Sequence, residues 1–105
     1  MNETDYNIAK ELKSRISGIT RVLDFKVFGS RARKDAGIDS DLDVYIEVKN
    51  IDDTLKDSIR HAAWEIGFEH SIYISVLIFT HDEINNTPLR SSPLVENIER
   101  QGITI

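Results

Sequence analysis

Residues Val22–Val48 read VLDFKVFGSRARKDAGIDSDLDVYIEV. The first seven, Val22 to Phe28, are rich in β-branched and aromatic side chains and stop at Gly29, as expected of a strand that feeds a tight turn. From Arg31 to Ser40 the text is polar, contains Gly37 and has no sustained apolar period, which predicts a short helical turn and then a loop. Leu42, Val44, Ile46 and Val48 then alternate with Asp41, Asp43, Tyr45 and Glu47, the period-two pattern of a second, half-buried strand. Two strands joined by a basic, glycine-bearing connection set the frame for the rest of the chain.

Upstream, Ile8, Leu12, Ile16 and Ile19 recur at four, four and three residues, leaving Lys10, Glu11 and Lys13 off that face. This predicts an amphipathic helix ending near Gly18. Downstream, Leu55, Ile59, Ala62, Ala63 and Ile66 predict a second long helix, with Asn50 or Asp52 as its cap, Gly67 as the left-handed residue after its end, and Trp64 packed at its edge. Ser71 to Thr80 (SIYISVLIFT) is the most hydrophobic run, and its β-branched content predicts a strand in mid-sheet. Asn85 to Ser92 reads as a surface loop. Ser92 is then a helix cap with Pro93 at the first helical position, Leu94, Val95 and Ile98 an apolar face, and Gly102 the stop. Ile103 to Ile105 is left for a brief edge strand. The elements predict a two-layer α/β fold: a small mixed sheet with helices on one face, Leu42, Val44, Ile46 and Val48 against them, and a cleft on the other.

The chain has 105 residues, a length suited to one domain spanning residues 1–105. It lacks cysteine, which excludes disulfides, thiolate metal sites and cysteine nucleophiles. No run reaches the ~18 apolar residues of a membrane span, and the polar, acidic start is unlike a secretory signal. A cytoplasmic location without membrane attachment follows as an expectation. Acids outnumber bases by 18 to 13, which argues against direct nucleic-acid binding through the phosphate backbone. Any phosphate contact has to be local, and the dense basic group is Arg31, Arg33 and Lys34, directly after Gly29-Ser30.

Asp41 and Asp43, two apart on a strand, would project from one face with α carbons roughly 6–7 Å apart. Two ionised carboxylates so close repel, and each resists burial unless a cation or hydrogen bonds compensate. An oxygen-only pair suits Mg²⁺, which takes one or two carboxylates and fills its shell with water and substrate phosphates. Gly29 lets backbone approach a ligand, Ser30 adds a hydroxyl at a helix start, and Arg31 and Arg33 lie within one turn to bond a polyphosphate. Arg31 is the best placed of the basic group. His61, His70 and His81 lack the spacing of a metal-binding pair and are read as surface or packing residues. Tyr45 and Tyr73 alternate onto the carboxylate face, where packing is the commoner role than stacking on a base.

Gly29-Ser30, ten residues, then Asp41-Leu42-Asp43 resembles the signature of the DNA polymerase beta superfamily of nucleotidyltransferases. The local text GSRARKDAGIDSDLDVYIEV is especially similar to the minimal nucleotidyltransferases of prokaryotes. The resemblance implies a polymerase beta-like nucleotidyltransferase fold, Gly29, Ser30 and Arg31 as nucleotide-phosphate contacts, and Asp41 and Asp43 as catalytic ligands of Mg²⁺. It implies transfer of a nucleoside monophosphate, AMP from ATP, to a hydroxyl, with pyrophosphate leaving. Minimal relatives pair with a small helical HEPN-domain protein, and the nucleotidyltransferase resembles an antitoxin that neutralises a ribonuclease toxin, in some cases by adenylylating it. The superfamily usually adds a third carboxylate from a later strand. Here Ser71 to Thr80 contains no acid, Ser75 is the residue that could stand in that place, and Glu69 and Asp82 flank the run. The departure keeps a second reading open: a non-catalytic nucleotide-binding or antitoxin module that acts on its partner by occlusion.

Overall fold

The computed structural model describes residues 1–33 and 40–105. Lys34 and Gly37 of the basic connection lie outside the described residues. In chain order the elements are α1 (Glu3–Ser17), β1 (Val22–Phe28), α2 (Gly29–Arg33), β2 (Leu42–Val48), α3 (Asp53–Glu69), β3 (Ile74–Thr80), α4 (His81–Asn86), a 3₁₀ turn (Pro88–Ser91), α5 (Pro93–Gln101) and β4 (Ile103–Thr104).

The long helices start on side-chain caps that satisfy orphan amides. The Asn2 side chain accepts from the Asp5 amide at 2.7 Å, and Asp52 from Leu55, also at 2.7 Å. Ser92 caps α5 ahead of Pro93, as expected. Thr80 and Glu83 form a reciprocal capping box that turns the chain directly from β3 into α4. Much of the expected Asn85–Ser92 loop is thereby helical or 3₁₀.

The sheet is mixed, in the order β3-β2-β1-β4. β1 runs antiparallel to both β2 and β4, and β2 runs parallel to β3. α1 and α3 cover one face, where Ile8, Leu12, Ile16, Ile59 and Ile66 pack on Phe25, Val27, Val44 and Ile46. Leu42, Val44, Ile46 and Val48 line that face, as their alternation predicts. The opposite face is open only in part. Tyr45, Phe28, Leu77 and Phe79 meet Ile84 of α4 and Val95 and Ile98 of α5, because α5 buries its own apolar stripe there.

Four expectations are corrected. β3 lies at the sheet edge rather than in mid-sheet; its hydrophobicity reflects partial cover on both faces by α3 and α4, not lateral pairing on both sides. Gly67 sits inside α3, which continues to Glu69, and the positive φ of 57° belongs to Ser71. Ile19 lies past the end of α1 and is exposed rather than continuing the apolar face. Trp64 is 62% exposed rather than packed.

Gly67 is required by close approach: a Cβ there would stand 2.6 Å from the Ile72 carbonyl oxygen. Gly→Ala within a helix ordinarily gains about 1 kcal/mol. Gly67→Ala is therefore expected to have the opposite sign, losing about 1–3 kcal/mol in a urea melt through overpacking.

Candidate functional site

The site forms where β1 ends beside the start of β2. Phe28 pairs with Asp43 across the antiparallel ladder, so the next residue, Gly29, leaves the sheet beside that carboxylate. Gly29 has φ of 75°, a left-handed conformation that favours glycine. A Cβ at this position would overlap the Asp43 carboxylate oxygen. Both properties of glycine are thus used: one bends the chain from strand into α2, and the other leaves room for an acid. Ser30 follows in the first turn of α2, half-buried.

Asp43 lies within β2, whereas Asp41 stands one residue ahead of it, exposed at the strand's mouth. The pair interacts: partial burial raises the Asp43 pKa above its ordinary 3.8, the negative charge of Asp41 raises it further, and the positive charge of Arg33 lowers it. Across the parallel ladder Asp43 is in register with Ser75 of β3, so the two side chains share one face of the sheet. An all-oxygen set of two carboxylates and a hydroxyl, in which burial and a neighbouring negative charge disfavour the ionised form of one acid, fits a hard divalent cation such as Mg²⁺.

Arg31 is engaged elsewhere. Its Nη1 donates to Asp5 Oδ1 at 2.7 Å and its Nε to the Ser40 carbonyl at 2.7 Å, with both side chains of the ion pair largely buried. The guanidinium ties α1 to both ends of the basic connection. Asp5 is the residue that the sequence reading missed. Its signal is spacing: Asp5 stands three residues before Ile8 and seven before Leu12, on the buried helical face, where an acid calls for a cationic partner. Arg33 is the arginine whose charge is felt at Asp43.

Of the acids flanking β3, Glu69 gathers with Glu11 and His70 in an exposed cluster on α1 and α3, their ligand atoms within 4.8 Å of one another. Asp82 accepts from Asn86 at 2.6 Å in α4, at the opposite end of β3 from Ser75. The other two histidines also face glutamates, His61 with Glu65 at 2.8 Å and His81 with Glu47 at 2.7 Å. Tyr45 is buried as a packing residue, its ring 5.6 Å from that of Phe79 and under the Lys26 ammonium. Burial and neighbouring Glu47 push its hydroxyl pKa up. Tyr73 is exposed, in a groove between α3 and β3.

The sequence matches the family model described as a nucleotidyltransferase domain over residues 6–101. Comparison with curated proteins gives no match. Among solved structures, the fold is similar to a putative nucleotidyltransferase from Sulfolobus solfataricus, at 18% identity and a TM-score of 0.55, over 93% of this chain and 76% of that one. It is similar to a toxin-antitoxin structure with AMP-PNP, at 18% identity and a TM-score of 0.61, over 99% of this chain and 72% of that one. A third likeness is to a mutant of the toxin-antitoxin MntA-HpeT with two aspartate-to-glutamate substitutions, at 16% identity and a TM-score of 0.59, over 99% and 71% of the two chains.

Two outcomes follow from the geometry. Arg31→Ala strands the Asp5 carboxylate and is expected to cost roughly 3 kcal/mol in a urea melt without any nucleotide present. For Asp43, a raised folded-state pKa means that its stabilising contribution is present at low pH and is lost as pH rises through that pKa. Asp43→Asn should therefore melt higher than wild type at neutral pH without metal, with the difference vanishing below pH 3.8. Added Mg²⁺ should close the gap at neutral pH by stabilising wild type alone.

Proposed function

Because the chain belongs to the nucleotidyltransferase domain family, we propose that it transfers AMP from ATP to a hydroxyl of a protein partner in the cytoplasm, that partner being a HEPN-domain toxin. The observation that carries the reading is the closure of the left-handed Gly29 turn onto Asp43, which sets the backbone at the start of α2 directly against a carboxylate. The likeness to toxin-antitoxin structures, one with AMP-PNP, supports the choice of nucleotide and partner class. Among the described residues, no helix is long and apolar enough to cross a membrane.

In this mechanism the backbone at Gly29 and the Ser30 hydroxyl hold the triphosphate, and the Arg33 charge adds attraction for it. Asp41 and Asp43 would hold Mg²⁺, which offsets phosphate charge when bound. The acceptor oxygen bonds to the α-phosphorus, the bond from that phosphorus to the pyrophosphate oxygen breaks, and the acceptor proton passes to solvent through the exposed mouth at Asp41. Positioning supplies most of the acceleration in such transfers.

The second reading, a nucleotide-binding antitoxin that acts by occlusion, is favoured by one observation: the neighbour of Asp43 on β3 is Ser75, not an acid. Incubation with labelled ATP, Mg²⁺ and the HEPN partner separates the two. Transfer predicts label on the partner, reduced at least about 10²-fold by Asp41→Ala with Asp43→Ala. Neutralisation by that double variant, with no label from wild type, would replace transfer by occlusion.

A further inference from the structure

The sheet ends on an edge strand without the usual safeguards. Leu42 N–H donates to the Tyr73 carbonyl, so Tyr73, Ser75, Leu77 and Phe79 turn their backbone groups toward β2. Ile74, Val76 and Ile78 consequently point theirs outward, and among the described residues no strand pairs with that side. Soluble proteins commonly protect such edges with charge, proline or brevity. β3 has seven residues, none charged and none proline, whereas the opposite edge is closed by a strand of two residues.

Beside this edge, α3 and β3 border a groove of about 960 Å³. Its lining includes Trp64, Phe68 and Tyr73, which are 62%, 73% and 66% exposed. Trp64 and Phe68 stack, their ring centroids 5.5 Å apart. Arg60 is the charged residue of the lining, which contains no carboxylate. The net charge of −5 is therefore not concentrated on this surface.

We propose that β3 and the aromatic ridge of α3 form the interface of a symmetric homodimer, with β3 pairing antiparallel to β3 of a second copy. A two-fold axis normal to the sheet makes each component its own complement. Outward amides and carbonyls of Val76 and Ile78 meet the same groups, and the two α3 helices lie antiparallel on one side of the joined sheet. Arg60 of one copy then faces the Trp64 and Phe68 rings of the other, a cation–π arrangement. Aromatics of this class bury about 150–250 Å² each, so three that are about two-thirds exposed offer on the order of 800 Å² from two copies when fully covered. Pairing of the two strands adds to that area, toward the range of about 1,200–2,000 Å² of stable interfaces. The inference is independent of nucleotidyl transfer.

Sedimentation velocity of the full chain, from low to high micromolar concentration, tests it. A species of twice the chain mass is expected, with Trp64→Glu plus Phe68→Glu monomeric at all concentrations and unchanged in circular dichroism. Hydrogen exchange gives a readout that needs no variant: Val76 and Ile78 amides should gain at least about tenfold protection as the wild type is concentrated. A wild type that stays monomeric with these amides unprotected overturns the proposal. So does a dimer in which they exchange freely, or a monomer whose aromatic ridge binds a different protein instead.

Discussion

The pairing of Phe28 with Asp43 places an acid against the point where β1 turns out of the sheet, and only a residue without a side chain fits between them. The remaining parts of the site follow from that contact. The left-handed turn at Gly29 starts α2 with Ser30 in its first turn, the parallel ladder sets Ser75 in register with Asp43, and Asp41 lies at the mouth. Packing of Val27 and Val44 beneath α1 and α3 keeps the register, since a one-residue slip would turn Asp43 into the core. Core and site are thus set by the same alternation, one face carrying the main core and the other the acids beside a second, smaller apolar cluster.

Much of this arrangement was legible in the sequence because it is local. β1 was bounded correctly by Gly29, β2 by its alternation, and α5 by Ser92, Pro93 and Gly102, each a signal that acts within a few residues. The candidate site's glycine, serine and two aspartates lie at the facing ends of the adjacent strands β1 and β2, which one connection joins, so spacing was enough to place them near one another. Position across the sheet was not legible. β3 is as hydrophobic as a central strand because helices cover part of each face, and hydropathy reports the faces rather than the edge. Gly67 was misread for a related reason: its demand comes from the Ile72 carbonyl, a tertiary contact, not from helix termination.

Arg31 shows how an ion pair over long sequence separation changes a local reading. Adjacent to the motif, it looks like a phosphate ligand; in the fold, Asp5, 26 residues away, and the Ser40 carbonyl occupy its guanidinium. That arrangement has a function of its own, since it anchors both ends of the connection whose neighbours form the site. Charge reaching Asp43 comes instead from Arg33. The outcome is a site in which one arginine supports the frame and the other biases the field.

The central claim is that Gly29, Ser30, Asp41 and Asp43 form one site for a divalent cation and nucleotide. The most direct test is amide NMR with Mn²⁺ as a paramagnetic substitute for Mg²⁺, titrated with and without ATP. The account predicts that line broadening centres on Gly29, Ser30, Asp41, Asp43 and Ser75, and that it sets in at lower Mn²⁺ concentration when ATP is added. Broadening centred on Glu11, Glu69 and His70, with the Gly29 turn unaffected, would contradict it.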